Sequence, residues 1–250
     1  MAILDAFKKL VRLVDRRKEI DHPFCSVIVP AAGSARRMNG IDKLFENLGG
    51  MPVLARTLKT LNDCPYVDEI VIPARVDDIG RIAAMMTTYE LNKISHIIPG
   101  GETRGDSVRA ALSECSKEAE LIAVHDAARP LATAELIERA VRCGAKTRAC
   151  VVCVPVKDTI KQVSGEIVAQ TLPRETLYAA QTPQVFDSAL LKAAYQKALE
   201  NEIQYTDDSS AVEALGKHVT VCEGEYTNIK LTEPSDFITA ERILEERNEF

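Results

Sequence analysis

The sequence predicts an α/β fold: a mostly parallel sheet with helices on both faces, plus a protruding β-hairpin arm. Three observations carry that prediction. Short apolar runs alternate with helical patterns as far as Pro155, at the spacing of βαβ units. The rhythm breaks between 156 and 180, where two alternating segments flank Ser164-Gly165-Glu166, a hairpin signature. The first apolar run, Cys25-Ser26-Val27-Ile28-Val29, stops at Pro30 and opens into a loop of small residues followed at once by cations.

Each element follows from local pattern. Ile3, Leu4, Phe7, Leu10, Val11 and Val14 stand at helical spacing, so 1–22 reads as an amphipathic helical extension that Asp21-His22-Pro23 ends. It precedes the first strand and lies outside the main fold, free to pack on the domain, on a partner subunit or to fray. The rest, 23–250, reads as one domain without repeats or low-complexity linkers. Strands are expected at 27–30, 69–73, 94–98, 121–125 and 150–155, with helices at 52–61, 76–89, 107–116 and 134–143 between them. Right-handed crossovers bring the carboxyl ends of these strands to one edge. The arm covers about 156–180. An isolated hairpin is marginal in water, so a second subunit is its natural support. Helices return at 188–201, 208–215 and 234–246, with a late strand at 219–223.

Composition narrows the class. The 250 residues suffice for one sizeable domain, and 46% hydrophobic with 27% charged is ordinary for a globular protein. A net charge of −6 argues against a general nucleic-acid or membrane-surface binder, so basic clusters read as local sites. No apolar run approaches the ~20 residues of a membrane span. Asp5, Lys8, Lys9 and Arg12 interrupt any signal peptide. The 7 Cys lack paired zinc spacing and read as buried, reduced thiols, which implies a cytoplasmic location.

Four stretches carry chemistry. Pro30-Ala31-Ala32-Gly33-Ser34-Ala35-Arg36-Arg37-Met38, with Lys43 close behind, lets backbone N–H groups approach an anion while Arg37 and Lys43 supply charge. At the carboxyl end of a strand this suits a polyphosphate, most simply a nucleoside triphosphate, and the cations could bridge its α-phosphate. It is neither a Walker loop nor a three-glycine dinucleotide fingerprint. In Val124-His125-Asp126-Ala127-Ala128-Arg129-Pro130, Asp126 suits a Mg²⁺ ion, which takes hard oxygen ligands. Arg129 suits a substrate phosphate or an ion pair with local carboxylates, and His125 reads as a buried strand-end side chain. In Gly100-Gly101-Glu102-Thr103-Arg104-Gly105-Asp106-Ser107 the glycines allow close approach to a flat ligand, and Ser107 could equally cap the next helix. Asn228-Ile229-Lys230 sets a cation after the last strand; alone, such a lysine is usually solvated.

Together with Pro155-Val156-Lys157-Asp158-Thr159, Ala180-Gln181-Thr182-Pro183-Gln184-Val185-Phe186 and Thr206-Asp207-Asp208, these strings resemble the 2-C-methyl-D-erythritol 4-phosphate cytidylyltransferase family, in order from 25 to about 245. The resemblance implies a Rossmann-like nucleotidyltransferase fold, a homodimer with exchanged arms, and joining of CTP to the sugar-alcohol phosphate with Mg²⁺ and release of pyrophosphate. It implies Arg37 and Lys43 as transition-state cations, Ala31, Ala32, Gly33, Gly101, Glu102 and Ser107 around CTP, and Asp126 on the metal. It further implies Arg129, Thr182 and Lys230, with Thr159 and Arg174 of the partner's arm, around the sugar phosphate. The chain departs from the pattern at Asp42, where relatives often have proline, and at Thr227, where some carry an acid. A sister activity, ribitol 5-phosphate cytidylyltransfer, shares most motifs; Ala127, Ala128 and Asn228-Ile229-Lys230 favour the methylerythritol enzyme. A non-catalytic nucleotide-binding module is the alternative of another class, and it would need no cation pair on the α-phosphate.

Overall fold

The structure is a computed structural model that describes residues 22–33 and 42–249. The helical extension expected at 1–22 falls outside these residues but for His22, and so does Arg37.

The described chain runs β1 (Cys25–Ile28), β2 (Asn47–Leu48), β3 (Met51–Pro52), α1 (Val53–Asp63), β4 (Glu69–Ala74), a 3₁₀ turn (Val76–Asp78), α2 (Ile79–Thr88), β5 (Ile94–Pro99) and α3 (Arg104–Glu114). It continues through β6 (Leu121–Val124), α4 (Ala134–Thr147), β7 (Ala149–Pro155), β8 (Lys161–Ser164), β9 (Ile167–Thr171), β10 (Tyr178–Asp187), α5 (Ser188–Glu200), α6 (Asp208–Glu213), β11 (Thr220–Glu223) and α7 (Pro234–Arg247).

Seven strands form the main sheet in the order β11-β7-β10-β6-β1-β4-β5. The β1 strand pairs parallel with both β4 and β6, β4 with β5, and β7 with β11. Alternation along each strand feeds two cores. Val27, Ile70, Ile72, Cys150 and Val152 face Leu54 and Leu58 of α1 and Leu136 and Val141 of α4. Ile28, Val71, Ile122, Val124 and Phe186 face Val108 of α3, Leu191 of α5 and Val212 of α6. Strands buried on both faces must be apolar almost throughout, which is why they read as continuous apolar runs. All seven cysteines are free thiols, six of them buried and Cys143 half-buried. Among the described residues no helix is long and apolar enough to cross a membrane.

Local sequence missed two elements. The central strand β10 runs antiparallel to β6 and β7. Gln181, Thr182, Pro183 and Gln184 disguise it as a loop, yet Gln181, Thr182 and Gln184 are buried because distant partners satisfy them. Gln184 Nε2 donates to Asp207 at 2.8 Å, and Asn228 Nδ2 to the Thr182 carbonyl at 2.9 Å. The short β2–β3 hairpin turns on Gly49 and Gly50, whose φ values of 57° and 87° suit the tight turn of a two-residue loop. The third helix begins at Arg104, three residues earlier than expected. Its cap is Thr103, which shares a capping box with Asp106, so Ser107 is not the capping residue.

The β8–β9 arm stands out from the sheet with every residue exposed, including Val163, Ile167 and Val168.

Candidate active site

Parallel strands β1, β4, β5 and β6 end at one edge, and a cavity of about 300 Å³ opens there. Main-chain hydrogen bonds build its floor. Ala31 N–H donates to the Pro73 carbonyl at 2.8 Å, and Gly100 N–H to the Ala74 carbonyl at 2.8 Å. These bonds bring the loop after β1 against the loop after β5. A Cβ on Gly100 would lie 2.3 Å from Ala32 Cβ and 2.9 Å from Ser107 Oγ, so only glycine allows that approach. Ser107 Oγ accepts the Gly101 N–H at 3.0 Å and donates to the Thr103 carbonyl at 3.0 Å, tying the glycine pair to α3. Ala32, Gly33, Gly101, Glu102 and Ser107 line the cavity; Ala31 is buried behind it.

The charged wall comes from three other segments. Lys43 lines the cavity from the turn before β2, and its Nζ donates to the Leu231 carbonyl at 2.9 Å. Asp126 follows β6. Burial alone would raise its carboxyl, but Lys230 at 2.9 Å, Arg104 at 3.7 Å and Arg129 at 3.4 Å bring it down to about 2. It is therefore an ionised carboxylate with three cations around it. Arg104 is in turn anchored 2.7 Å from Asp208, a carboxylate with no exposure that also accepts the Tyr195 hydroxyl at 2.5 Å. Arg104 was not among the site residues expected from sequence. Its string was legible there, but its partner stands 104 positions away.

Two expected substrate contacts sit behind Asp126 and do not line the cavity. Arg129 is buried, with Nη1 donating to the Asn228 carbonyl at 2.7 Å and Nη2 to the Ala180 carbonyl at 3.4 Å. Thr182 Oγ1 accepts the Asp126 N–H at 3.0 Å and lies 3.1 Å from His125 Nδ1. His125 has no exposure, and burial pushes its imidazole down to about 4, so it is neutral at pH 7 and holds the strand end. Thr227 accepts from Arg247 at 2.8 Å and offers the cavity nothing. Thr159 and Arg174 lie on the exposed arm and do not line this cavity; Arg174 Nη1 donates to the Lys157 carbonyl at 2.7 Å.

Among the described residues no three His, Cys, Asp or Glu side chains converge as a metal cage. Among the described residues Asp126 is the one buried carboxylate on the cavity wall. That donor set fits Mg²⁺ only jointly with phosphate oxygens of a bound nucleotide, the usual habit of this ion. The arrangement can seat a polyphosphate on close backbone and place cations around its reacting end.

The family model described as IspD, 2-C-methyl-D-erythritol 4-phosphate cytidylyltransferase, matches residues 25–246. A 2-C-methyl-D-erythritol 4-phosphate cytidylyltransferase of Halalkalibacterium halodurans is 45% identical over 223 residues, covering 89% of this chain and 97% of the relative. One of Symbiobacterium thermophilum is 46% identical over 223 residues, covering 88% and 93%. The crystal structure of the 4-diphosphocytidyl-2C-methyl-D-erythritol synthase of Anaerococcus prevotii superposes with a TM-score of 0.81 at 34% identity, over 90% of this chain and 98% of that one. The cytidylyltransferase of Thermus thermophilus gives 0.73 at 32% identity, over 88% and 98%. The match runs through the first strand, the cavity loops, the arm and the closing helix alike, and the chain belongs to the 2-C-methyl-D-erythritol 4-phosphate cytidylyltransferase family.

Proposed function

We propose that this chain transfers the cytidylyl group of CTP to 2-C-methyl-D-erythritol 4-phosphate, in isoprenoid precursor synthesis. A phosphate oxygen of the sugar-alcohol phosphate attacks the α-phosphorus of CTP in line. The bond from that phosphorus to the β-phosphate bridging oxygen breaks, and pyrophosphate leaves with the electron pair. The nucleophile is already anionic, so no protein base is required. Catalysis is then positioning and charge stabilisation.

The observation that carries this reading is that Lys43, Asp126 and Lys230 line the same cavity as the glycine-backed loop pair. Ala31, Ala32, Gly33, Gly101, Glu102 and Ser107 surround the nucleotide, and Lys43 with Arg37 neutralises charge that grows on the α-phosphate oxygens in the transition state. Asp126 would hold Mg²⁺ together with the triphosphate, and the ion would supply charge screening between the phosphates and the incoming anion. Lys230 faces the sugar phosphate, while Arg129 and Thr182 orient Asp126 from behind. Thr159 and Arg174 reach the sugar phosphate from a second copy of the chain, whose arm lies over this cavity in a homodimer. The enzyme works in the cytoplasm.

Pyrophosphate release with CTP, measured separately on 2-C-methyl-D-erythritol 4-phosphate and on ribitol 5-phosphate, tests the reading. Turnover on the first is expected; turnover only on the second would overturn it.

A further inference from the structure

Asp42, the immediate neighbour of Lys43, is turned toward a different set of charges. It forms an ion pair with Arg75 Nη2, and Arg75 Nε donates to Asp78 Oδ2 at 2.5 Å. Arg81 Nη1 closes the group, 3.8 Å from Asp42 Oδ2 and 3.5 Å from Asp78 Oδ1. The Arg81 guanidinium also lies 3.5 Å from the centroid of the Phe45 ring. Asp42 and Phe45 are the two ends of one turn, since the Phe45 N–H donates to the Asp42 carbonyl at 2.9 Å. Lys43 is the second residue of that turn. Leu44, the third, is buried in the core, and its carbonyl accepts the Leu54 N–H at 2.8 Å. Arg75 follows directly on β4, whose last residue, Ala74, bridges to Ala31 beside the nucleotide cavity.

We propose that Asp42 and Arg75 form a positioning clasp that sets the turn carrying Lys43 in fixed relation to the nucleotide loops. This rests on the reading of Lys43 as a transition-state cation. The physical case has two parts. A lysine side chain has four rotatable methylene bonds, so the direction of its backbone decides which volume the ammonium samples. An arginine fork shared between two carboxylates fixes orientation as well as distance, and Asp78 is nearly fully buried, which holds the fork in place. Tying the turn to the strand tip that also bridges Ala31 makes Lys43 and the α-phosphate seat move as one body. Asp42 thereby does not lower the positive potential at the reacting phosphate, since Arg75 and Arg81 compensate its charge locally.

The test is a kinetic cycle on the full chain with CTP and 2-C-methyl-D-erythritol 4-phosphate: Asp42→Asn, Arg75→Met, both together, Arg75→Lys, and Lys43→Ala as reference. Each clasp variant is expected to lower kcat by about tenfold while both KM values stay within about twofold, since misplacing a catalytic group acts on the transition state. The double variant is expected to be no slower than the slower single, because either change alone opens the clasp. Arg75→Lys should fall between, keeping the charge and losing the fork. Thermal midpoints report separately on folding, and Asp42→Asn is nearly isosteric. Unchanged kcat in the clasp variants, additive losses, or a rise in KM alone would overturn the clasp. If Lys43→Ala lowers kcat and Arg75→Met does not, only the clasp fails. If Lys43→Ala leaves kcat intact, the catalytic reading of Lys43 fails and takes the clasp with it.

Discussion

Lys230 Nζ lies 2.9 Å from Asp126 Oδ2 at the mouth of the cavity, one partner half-exposed and the other nearly buried. The pair joins the residue proposed to hold the metal to the residue proposed to hold the sugar phosphate. Arg104 and Arg129 flank the same carboxylate, so losing Lys230 leaves it ionised and the local fold intact. Lys230→Met is therefore expected to raise KM for 2-C-methyl-D-erythritol 4-phosphate by about tenfold or more, the worth of one charge-assisted phosphate contact. CTP KM should change less. Steady-state kinetics with each substrate varied in turn checks this, and equal rises in both KM values would contradict it.

Gly100 is the point where the loops after β1 and β5 touch. Gly100→Ala forces a methyl group into Ala32 Cβ and Ser107 Oγ, and neither is the end of a flexible chain. Overpacking of this kind costs about 1–3 kcal/mol, read as a fall in unfolding free energy in urea. The same displacement widens the nucleotide seat, so CTP KM should rise with it. A variant that is destabilised but retains native CTP KM would show that the contact serves folding alone.

His125 predicts an acid-sensitive fold. Burial lowers its folded-state value from 6.5 to about 4, so the unfolded chain takes up a proton that the folded chain refuses. Its stabilisation is complete above about pH 6.5 and is lost progressively as pH falls toward 4, by an amount on the order of 3 kcal/mol. The His125→Asn variant removes the titrating group. Unfolding free energies of the two proteins, followed across that window, should differ in slope; parallel curves would refute the assignment.

The arm predicts complementation between subunits. Within the single chain Arg174 and Thr159 do not line the cavity, and the arm exposes Val163, Ile167 and Val168. If the arm completes a neighbour's site, Lys43→Ala and Arg174→Ala disable different halves of one shared site. Mixing the two inactive proteins through reversible unfolding should then restore about a quarter of native turnover, because half the dimers are mixed and each carries one intact site. No recovery, or a monomer by sedimentation at active concentrations, would sink the shared site.

Much of the site was legible because each cavity loop is a short string at the end of an apolar run. Ala31-Ala32-Gly33, Gly100-Gly101 and Asp126 announce themselves by small residues or an acid where a strand ends. Arg104 was legible as a letter and not as a contact. The carboxylates that define it, Asp126 and Asp208, come from other segments and meet it only across the sheet edge. The β10 strand escaped for a related reason. Its polar centre looks like a loop until Asp207, Glu225 and Asn228 are seen to satisfy Gln184, Gln181 and Thr182.

By itself, then, the sequence determined the order of the helices and of every strand but β2, β3 and β10, the hairpin arm and the residues that crowd the strand ends, because periodicity and turn chemistry act over a few neighbouring residues. Tertiary structure alone decided which way the charges face. Arg129 turned inward to main-chain carbonyls, Lys230 outward to Asp126, and Asp42 away from Lys43 toward Arg75. Such choices depend on distances between segments remote in the chain, and Coulomb attraction selects partners only after the crossovers have brought those segments to one edge.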